Sequence, residues 1–164
     1  IRTTYVETSS EMYEAVKERV SNFDIFISTA AIADYKPANY SDIKYKKNEN
    51  NITIEFTRGI DILETISKKH KNLFTVGFAA ETNSLKENTK QKLAKKSLDL
   101  IVGNIANHEL KLGFESDYNE VIILSNTNSK KISYDKKSNI ANKILDFIAA
   151  EYSNKLQLVK NNVK

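Results

Sequence analysis

The sequence has no cysteine and only two histidines among its 164 residues. The first absence excludes disulfide bonds, thiolate nucleophiles and cysteine-ligated zinc sites, and it permits an intracellular location. The two histidines, His70 and His108, lie far apart in the chain at a spacing that does not suggest joint metal binding. Histidine chemistry is therefore not expected to be central to the function.

The sequence also lacks a long apolar stretch. Charged residues make up 28% of it, and no apolar run approaches the roughly 20 residues that a membrane-spanning helix needs. We therefore expect a soluble, cytoplasmic protein with no membrane partner.

Two glycine-rich nucleotide-binding patterns are absent as well. No G-x-G-x-x-G follows a predicted strand and no G-x-x-x-x-G-K-[ST] occurs, so the sequence offers neither a dinucleotide fingerprint nor a P-loop. The net charge of +4 favours anionic partners, with phosphate as the first choice, although the same charge fits an ordinary solvated surface. The lysines are not interleaved with aromatic residues, which argues against a nucleic acid as the partner.

Apolar residues make up 40% of the sequence, which is enough for one sizeable core in a chain of this length. We expect one domain over residues 1–152, followed by a polar tail over residues 153–164.

Strand and helix patterns alternate along this domain. Strands are predicted at residues 3–7, 24–29, 52–57, 73–80 and 98–102, with helices in most of the intervals. Two capping boxes, Thr8 with Glu11 and Ser84 with Glu87, predict helix starts. Residues 34–51 contain the only proline and predict a long loop or flap. A hairpin over residues 120–134 and a final helix complete the pattern.

This alternation predicts a Rossmann-like, three-layer αβα fold with a mostly parallel sheet and a carboxy-terminal β-hairpin. In such sheets, ligands bind outside the carboxyl ends of the strands, where helix amino termini offer unpaired N–H groups to anions. The predicted ends fall at residues 28–31, 77–83 and 103–104. We expect these ends to converge on one crevice, although the small alanines there fit close helix packing equally well.

Lysines are the candidates for phosphate binding. Lys92 and Lys96 are four residues apart and therefore share one face of a predicted helix, whereas Lys44, Lys46 and Lys47 lie in the predicted flap. Lysines in these settings are also common on solvated surfaces. The residues alone thus indicate an anion or nucleotide binder of Rossmann type and leave the reaction open.

Six segments carry a more specific resemblance. In chain order they read AAIADYKP at 30–37, KYKK at 44–47, GIDIL at 59–63, GFAAETN at 77–83, LDLIVGN at 98–104 and GFESDYNEV at 113–121. Together they resemble phosphopantothenoylcysteine synthetase (phosphopantothenate–cysteine ligase), the synthetase domain of the bacterial coenzyme A biosynthesis bifunctional protein. The resemblance spans residues 6–152.

The resemblance implies ligation of 4'-phosphopantothenate to cysteine, with CTP as the activating nucleotide and Mg²⁺ shielding its triphosphate. It implies that Lys44 is catalytic and contacts the nucleotide, and that Ala31 flanks an acyl-cytidylate intermediate. It further implies a homodimer and a possible fused flavodecarboxylase domain. The other nucleotide-binding residues that it implies are Ser28, Thr29, Ala30, Asp34, Ile60, Asp61, Ile62, Leu63, Phe78, Lys92 and Lys96.

The sequence departs from the family pattern at two places. Gly59-Ile60-Asp61-Ile62 stands where the family usually has Asn-Pro-Asp-Ile, so the loop loses the φ that proline would fix. No segment matches the family's glycine-rich amino-terminal strand–loop–helix or its Ser-Asn-x-x-Ser-Gly-type segment. This chain alone is therefore expected to bind CTP without completing the ligation. The alternatives are an NAD(P)-binding reductase and a non-catalytic nucleotide-binding module of Rossmann type.

Overall fold

The computed structural model describes residues 1–39, 41, 43, 51–81, 83–105 and 116–161. Within these residues the chain forms α-helices, β-strands and a short 3₁₀ turn at Val20–Asn22. The helices are α1 (Ser9–Arg19), α2 (Ile62–Lys69), α3 (Leu85–Lys95) and α4 (Lys137–Asn161). The strands are β1 (Ile25–Ser28), β2 (Tyr35–Pro37), β3 (Phe56–Arg58), β4 (Phe74–Glu81), β5 (Leu100–Ile105), β6 (Tyr118–Ser125) and β7 (Ser129–Lys136).

Five of the strands form one sheet in the order β1-β4-β5-β6-β7. β4 pairs in parallel with β1 and with β5, whereas β6 is antiparallel to both of its neighbours. Four of the five strands therefore run in the same direction, and the predicted αβα fold with a mostly parallel sheet is confirmed. β2 and β3 form a separate, exposed antiparallel pair.

The core lies on both faces of the five-stranded sheet. Alternate side chains of a strand point to opposite faces, and this alternation divides the core into clusters. The largest cluster packs Phe74, Val76 and Leu100 against α4, and a second packs Ala79 and Ile101 against α2 and α3. α1 packs beside α2 in a third cluster. The three layers therefore follow directly from the period-two pattern of the strands.

Two strand predictions are corrected. Residues 3–7, predicted as the first strand, are exposed and belong to no strand, because alternation produces a strand only where a neighbouring strand accepts its hydrogen bonds. Of the strand predicted at residues 52–57, only the end is a strand, and it pairs with Tyr35–Pro37 from within the predicted loop. These two short segments therefore form a hairpin-like arm outside the main sheet.

The two predicted capping boxes have different outcomes. At α1, Thr8 Oγ1 accepts from the Glu11 backbone N–H at 3.1 Å, and the Glu11 carboxylate accepts from the Thr8 backbone N–H at 3.1 Å. That box is confirmed. At α3 the prediction is wrong, because Ser84 has a left-handed φ of 44° and its side chain makes no capping hydrogen bond. Asn88 Nδ2 donates instead to the Asn83 carbonyl at 3.0 Å.

The carboxy-terminal helix continues further than its apolar stripe indicates. α4 extends to Asn161, so most of the predicted polar tail is helical. Lys155 on this extension donates to Asp99 Oδ1 at 2.7 Å and to the Leu73 carbonyl at 3.1 Å. These bonds anchor the extension at the amino ends of β4 and β5. Among the described helices, none has the length and apolar character of a membrane span.

Gly103 on β5 generates a test of the contact between α3 and the sheet. A Cβ at this position would clash with Thr89 Oγ1 and lie 3.1 Å from Leu85 Cδ1. We expect Gly103→Ala to lower the free energy of unfolding by about 1–3 kcal/mol, as overpacking does elsewhere, measured by urea denaturation. Thr89→Ala provides the space that the new methyl group needs. The same glycine substitution should therefore cost clearly less in a Thr89→Ala background; an equal cost in both backgrounds would contradict this packing.

Candidate functional site

A cavity of about 90 Å³ lies at the carboxyl ends of β1 and β4, beside the amino terminus of α2. The parallel pairing of β1 with β4 brings these ends to one edge of the sheet. Nine of the residues implied by the resemblance line this cavity: Ser28, Ala30, Asp34, Ile60, Asp61, Ile62, Leu63, Phe78 and Lys96. Segments separated by up to about 70 residues of sequence thus meet here, as the strand-end rule predicts.

One side of the cavity is closed by a backbone contact between two loops. The Gly59 backbone N–H donates to the Asp34 carbonyl at 2.7 Å. A Cβ at position 59 would lie 3.3 Å from the Ala33 carbonyl oxygen, which is tighter than most side chains allow. The glycine therefore permits the two loops to approach, and it holds Asp34 beside the amino terminus of α2.

Asp61 connects this helix with the lysine of the cavity. It is the N-cap of α2: its Oδ1 accepts from the Glu64 backbone N–H at 2.9 Å. Its Oδ2 lies 2.8 Å from Lys96 Nζ. Burial disfavours the charged carboxylate, but the hydrogen bonds from Lys96 and from the Glu64 backbone outweigh it and lower the pKa of Asp61. The cavity therefore contains an ionised carboxylate and an ammonium group in direct contact.

The second predicted lysine occupies a different position. Lys92 Nζ lies 2.7 Å from Glu81 Oε1, and Lys92 is not among the residues that line the cavity. Lys92 and Lys96 share a face of α3, as their spacing predicts, but each extends to its own carboxylate at the edge of the site. Sequence spacing alone does not show either ion pair, because the acidic partners come from β4 and from the start of α2.

Thr29 lies on the other side of the strand end. It lines an apolar groove of about 380 Å³ between the sheet and α4, together with Phe78 and Asn104. Ser28 and Ala30 face the cavity, so the alternation of the strand separates Thr29 from its neighbours. Phe78 borders both spaces. The predicted single crevice is therefore two adjoining spaces, and the end of β5 belongs to the groove.

The remaining implied residues are Ala31 and Lys44, and of these only Ala31 is among the described residues that can be compared with the cavity. Ala31 follows Ala30 in the chain but does not line it. Lys44 lies outside the described residues, as do Lys46 and Lys47, so the proposed catalytic position of Lys44 stays a prediction.

Arg58 is a cavity residue that the sequence reasoning missed. It lines the cavity together with Ile32, Ala33 and Gly59. The sequence predicts a strand of the main sheet that ends at residue 57. It therefore gives no reason to place the next residue, Arg58, at the cavity. The signal that was available is the Arg-Gly pair immediately before the loop at residues 60–61.

Among the described residues, the charges that line the cavity sum to zero. Asp34 and Asp61 contribute two negative charges, and Arg58 and Lys96 contribute two positive charges. Within the described part of the chain, no three histidine, aspartate or glutamate side chains are grouped so that they could hold a metal ion. A polyanion bound here would therefore need counter-charge from residues beyond the cavity wall or from a cation that it brings with it.

The comparisons with known proteins agree with this architecture. The family model described as the DNA/pantothenate metabolism flavoprotein C-terminal domain matches residues 1–152. The Coenzyme A biosynthesis bifunctional protein CoaBC of Vibrio vulnificus (strain CMCP6) is 38% identical over 143 residues, which are 85% of this chain and 35% of that protein. The protein of the same name from Bacillus subtilis (strain 168) is 38% identical over 146 residues, covering 88% and 36%.

A solved structure shows the same fold. The crystal structure of the C-terminal domain of Coenzyme A biosynthesis bifunctional protein CoaBC superposes with a TM-score of 0.73 at 28% identity, covering 93% of this chain and 66% of that chain. The chain belongs to the DNA/pantothenate metabolism flavoprotein C-terminal domain family. It spans about a third of the length of the curated relatives that it matches, 35% and 36% of the two named above.

Two substitutions of Asp61 separate the effects of its two contacts, the helix cap and the ion pair with Lys96, on stability. Asn is as good an N-cap as Asp, so Asp61→Asn should keep the cap and lose the ion pair with Lys96. Asp61→Ala loses both, and we expect its free energy of unfolding to be about 1 kcal/mol lower than that of Asp61→Asn. The measurement is urea denaturation at pH 7. Equal stability of the two variants would contradict the capping role.

The lowered pKa of Asp61 adds a pH dependence. A carboxylate with a depressed folded-state pKa stabilises the protein above its unfolded value, and this contribution is lost as the pH falls through the folded-state pKa. Below pH 3.8, the ordinary pKa of aspartate, the free energy of unfolding should therefore fall less steeply with decreasing pH in Asp61→Asn than in the wild type. Glu14→Gln is the control, because it removes a carboxylate from an exposed lysine pair on α1; exposed pairs contribute little to stability, so this variant should follow the wild type.

Proposed function

We propose that this chain is the CTP-binding part of a phosphopantothenate–cysteine ligase that acts in coenzyme A biosynthesis. The observation that carries the proposal is the cavity in which nine of the implied nucleotide-binding residues meet. The relatives named above support the pathway, because their names place them in coenzyme A biosynthesis.

The proposed reaction has two steps. The carboxylate of 4'-phosphopantothenate attacks the α-phosphate of CTP, which forms an acyl-cytidylate and releases pyrophosphate. The cysteine amine then attacks the acyl carbon and expels CMP, which leaves an amide bond. Both steps move negative charge onto phosphate oxygens, and positive groups fixed beside those oxygens lower the barrier.

Residues of the cavity suit the binding of a nucleotide in this reaction. Phe78 presents an exposed aromatic ring at the rim, where a flat base can stack. Lys96 and Arg58 provide cationic donors for phosphate oxygens. Lys44, which the resemblance implies as catalytic, would stabilise charge that develops during activation, and Ala31 would flank the acyl-cytidylate. Asp34 and Ile60 would complete the nucleotide pocket together with the main chain of Ile62 and Leu63, whose side chains are buried in the core.

Magnesium fits this site as an ion carried by the nucleotide. Mg²⁺ is commonly held by one or two carboxylates together with substrate phosphates and water. Within the described part of the chain, Asp34 and Asp61 are the carboxylates that line the cavity, and Asp61 is the one in contact with Lys96. The ion would supply charge neutralisation of the triphosphate, and Asp34 would be its protein ligand.

The partners in the proposal follow from the same resemblance. They are 4'-phosphopantothenate and cysteine as substrates, a second copy of the chain in a homodimer, and a fused flavodecarboxylase domain. The last agrees with the bifunctional relatives, of which this chain spans about a third. A cytoplasmic location and the homodimer stay predictions.

A thermal-shift experiment separates the proposal from the alternative of an NAD(P)-binding reductase. A ligand that binds only the folded state stabilises it by RT ln(1 + [L]/Kd), about 2.7 kcal/mol at one hundred times Kd. We expect CTP with Mg²⁺ to raise the Tm of the 164-residue chain, and NADPH to leave it unchanged. ATP in a parallel titration measures the base preference. A rise with NADPH and none with CTP would favour the reductase instead.

The ligation itself is measured as CMP release from CTP, 4'-phosphopantothenate and cysteine. We expect no release from this chain alone, and release when it is joined to the family's amino-terminal synthetase segment. Lys44→Ala in the joined protein should lower kcat by about 100-fold, as the loss of one charge-stabilising donor does elsewhere. Lys69→Ala, at an exposed position near the end of α2, is the control. An inactive joined protein, or an unchanged rate with Lys44→Ala, would refute the mechanism.

A further inference from the structure

Glu81 is the last residue of β4, at the carboxyl edge of the sheet. Its side chain is only 11% exposed, the lowest value for any carboxylate in the ion pairs of the described residues. Oε1 lies 2.7 Å from Lys92 Nζ, and Oε2 accepts from Asn88 Nδ2 at 3.2 Å. Neither the relatives' names nor the resemblance assigns a role to this carboxylate.

The contacts of Glu81 fix α3 to the end of β4. Ser84 begins α3 in a left-handed conformation without a side-chain cap. Asn88 Nδ2 donates to the Asn83 carbonyl and to the Glu81 carboxylate. The first turns of α3 are therefore attached to the strand end by Glu81 and Asn88, and Lys92 lies on the same side one turn further along the helix.

An ion pair of this kind is poorly explained by stability alone. Removing a carboxylate from water costs free energy that its attraction to a lysine often fails to offset, so nearly buried ion pairs are weak evidence of stabilisation. They are better understood as devices that fix a geometry. Lys92 in turn keeps 44% of its side chain exposed, and an ammonium group has three donors, so the contact with Glu81 leaves donors for another anion.

We infer that Glu81 is a positioning residue that holds the Lys92 ammonium at the carboxyl edge of the sheet for the phosphates of the nucleotide. The inference rests on the proposed function. A free lysine side chain samples many rotamers, and a fixed carboxylate restricts that freedom before the ligand arrives. Lys96, the C-cap of α3, already lines the cavity in contact with Asp61, so both lysines have a carboxylate partner.

The test uses equilibrium binding of CTP and of CMP to the 164-residue chain, measured by titration calorimetry in the presence of Mg²⁺. The variants are Glu81→Gln, Lys92→Ala and the double variant. Lys92 is implied at the triphosphate, so we expect Glu81→Gln to weaken CTP binding by about tenfold and to leave CMP binding within about twofold. The double variant should bind CTP no more weakly than Lys92→Ala, because residues that act through one another are not additive.

Two further variants, a control and a conservative substitution, complete the test. Glu120→Gln removes a carboxylate from Lys131 at a contact of 3.1 Å on the β6–β7 pair, and it should not change CTP affinity. Glu81→Asp keeps the charge but withdraws it by one methylene. Should Glu81→Gln fail to fold, an intermediate loss of CTP affinity in Glu81→Asp, absent in the Lys92→Ala background, supports the same conclusion.

The outcomes distinguish this inference from the proposed function. Wild-type binding of CTP with equal or tighter binding by Glu81→Gln overturns the positioning role and leaves the function standing. Additive losses in the double variant, or equal losses for CTP and CMP, indicate a general structural role and also overturn it. Absence of CTP binding by the wild-type chain overturns the proposed function, and the inference with it.

Discussion

The parallel pairing of β1 with β4 and of β4 with β5 is the constraint on which the candidate site depends. Parallel strands place their carboxyl ends at one edge, and the short loops that follow must leave the sheet there. Ser28 and Phe78 are far apart in the chain, and this pairing makes them neighbours in the same cavity wall. A slip of register by one residue would turn Phe78 toward the opposite face.

A second feature is that each lysine of α3 near the site has a carboxylate partner. Asp61 holds Lys96 and Glu81 holds Lys92. The two carboxylates also belong to the framework, since one caps α2 and the other ends β4. The positions of the ammonium groups are therefore determined by the sheet and by a helix terminus, and not by α3 alone.

The fold could be predicted from the sequence because it depends on local patterns. The buried run over residues 73–80 reads as a parallel strand, and the box of Thr8 with Glu11 starts a helix as its residue types require. The capping box predicted at Ser84 is wrong, because its residue types permit a cap that the left-handed backbone of Ser84 does not make. The strand predicted at residues 3–7 is wrong for a related reason: alternation describes a strand's side chains and says nothing about a partner for its backbone.

The candidate site could be predicted from the sequence only in part. The strand-end rule, with the resemblance, selected residues that the structure brings together, including Asp34 and Phe78. It did not separate Thr29 from Ser28: alternation sends neighbouring side chains to opposite faces, but the sequence does not say that each face borders its own space. Arg58 and the ion pairs of Lys92 and Lys96 were not predicted, because they join segments whose relative placement only the assembled sheet defines.

The balance of charge decides what else a nucleotide would need here. Among the described residues, four charged side chains line the cavity and their charges sum to zero, with Asp34 and Asp61 against Arg58 and Lys96. A triphosphate brings several negative charges, and at an effective dielectric constant of about 20 an unpaired charge 4 Å from another costs about 4 kcal/mol. The described side chains of the cavity wall therefore cannot neutralise the charge of this ligand.

The additional charge has three sources in the proposal: Mg²⁺, the flap lysines around Lys44, and Lys92. Only the last belongs to the described framework, and its charge is already matched by Glu81. A phosphate that binds Lys92 must share this ammonium group with the Glu81 carboxylate. The pair therefore orients the phosphate but adds no net positive charge. Mg²⁺ and the lysines around Lys44 must therefore supply the rest of the positive charge in the proposal. The described framework then contributes mainly the orientation of the triphosphate, and the added cations contribute its neutralisation.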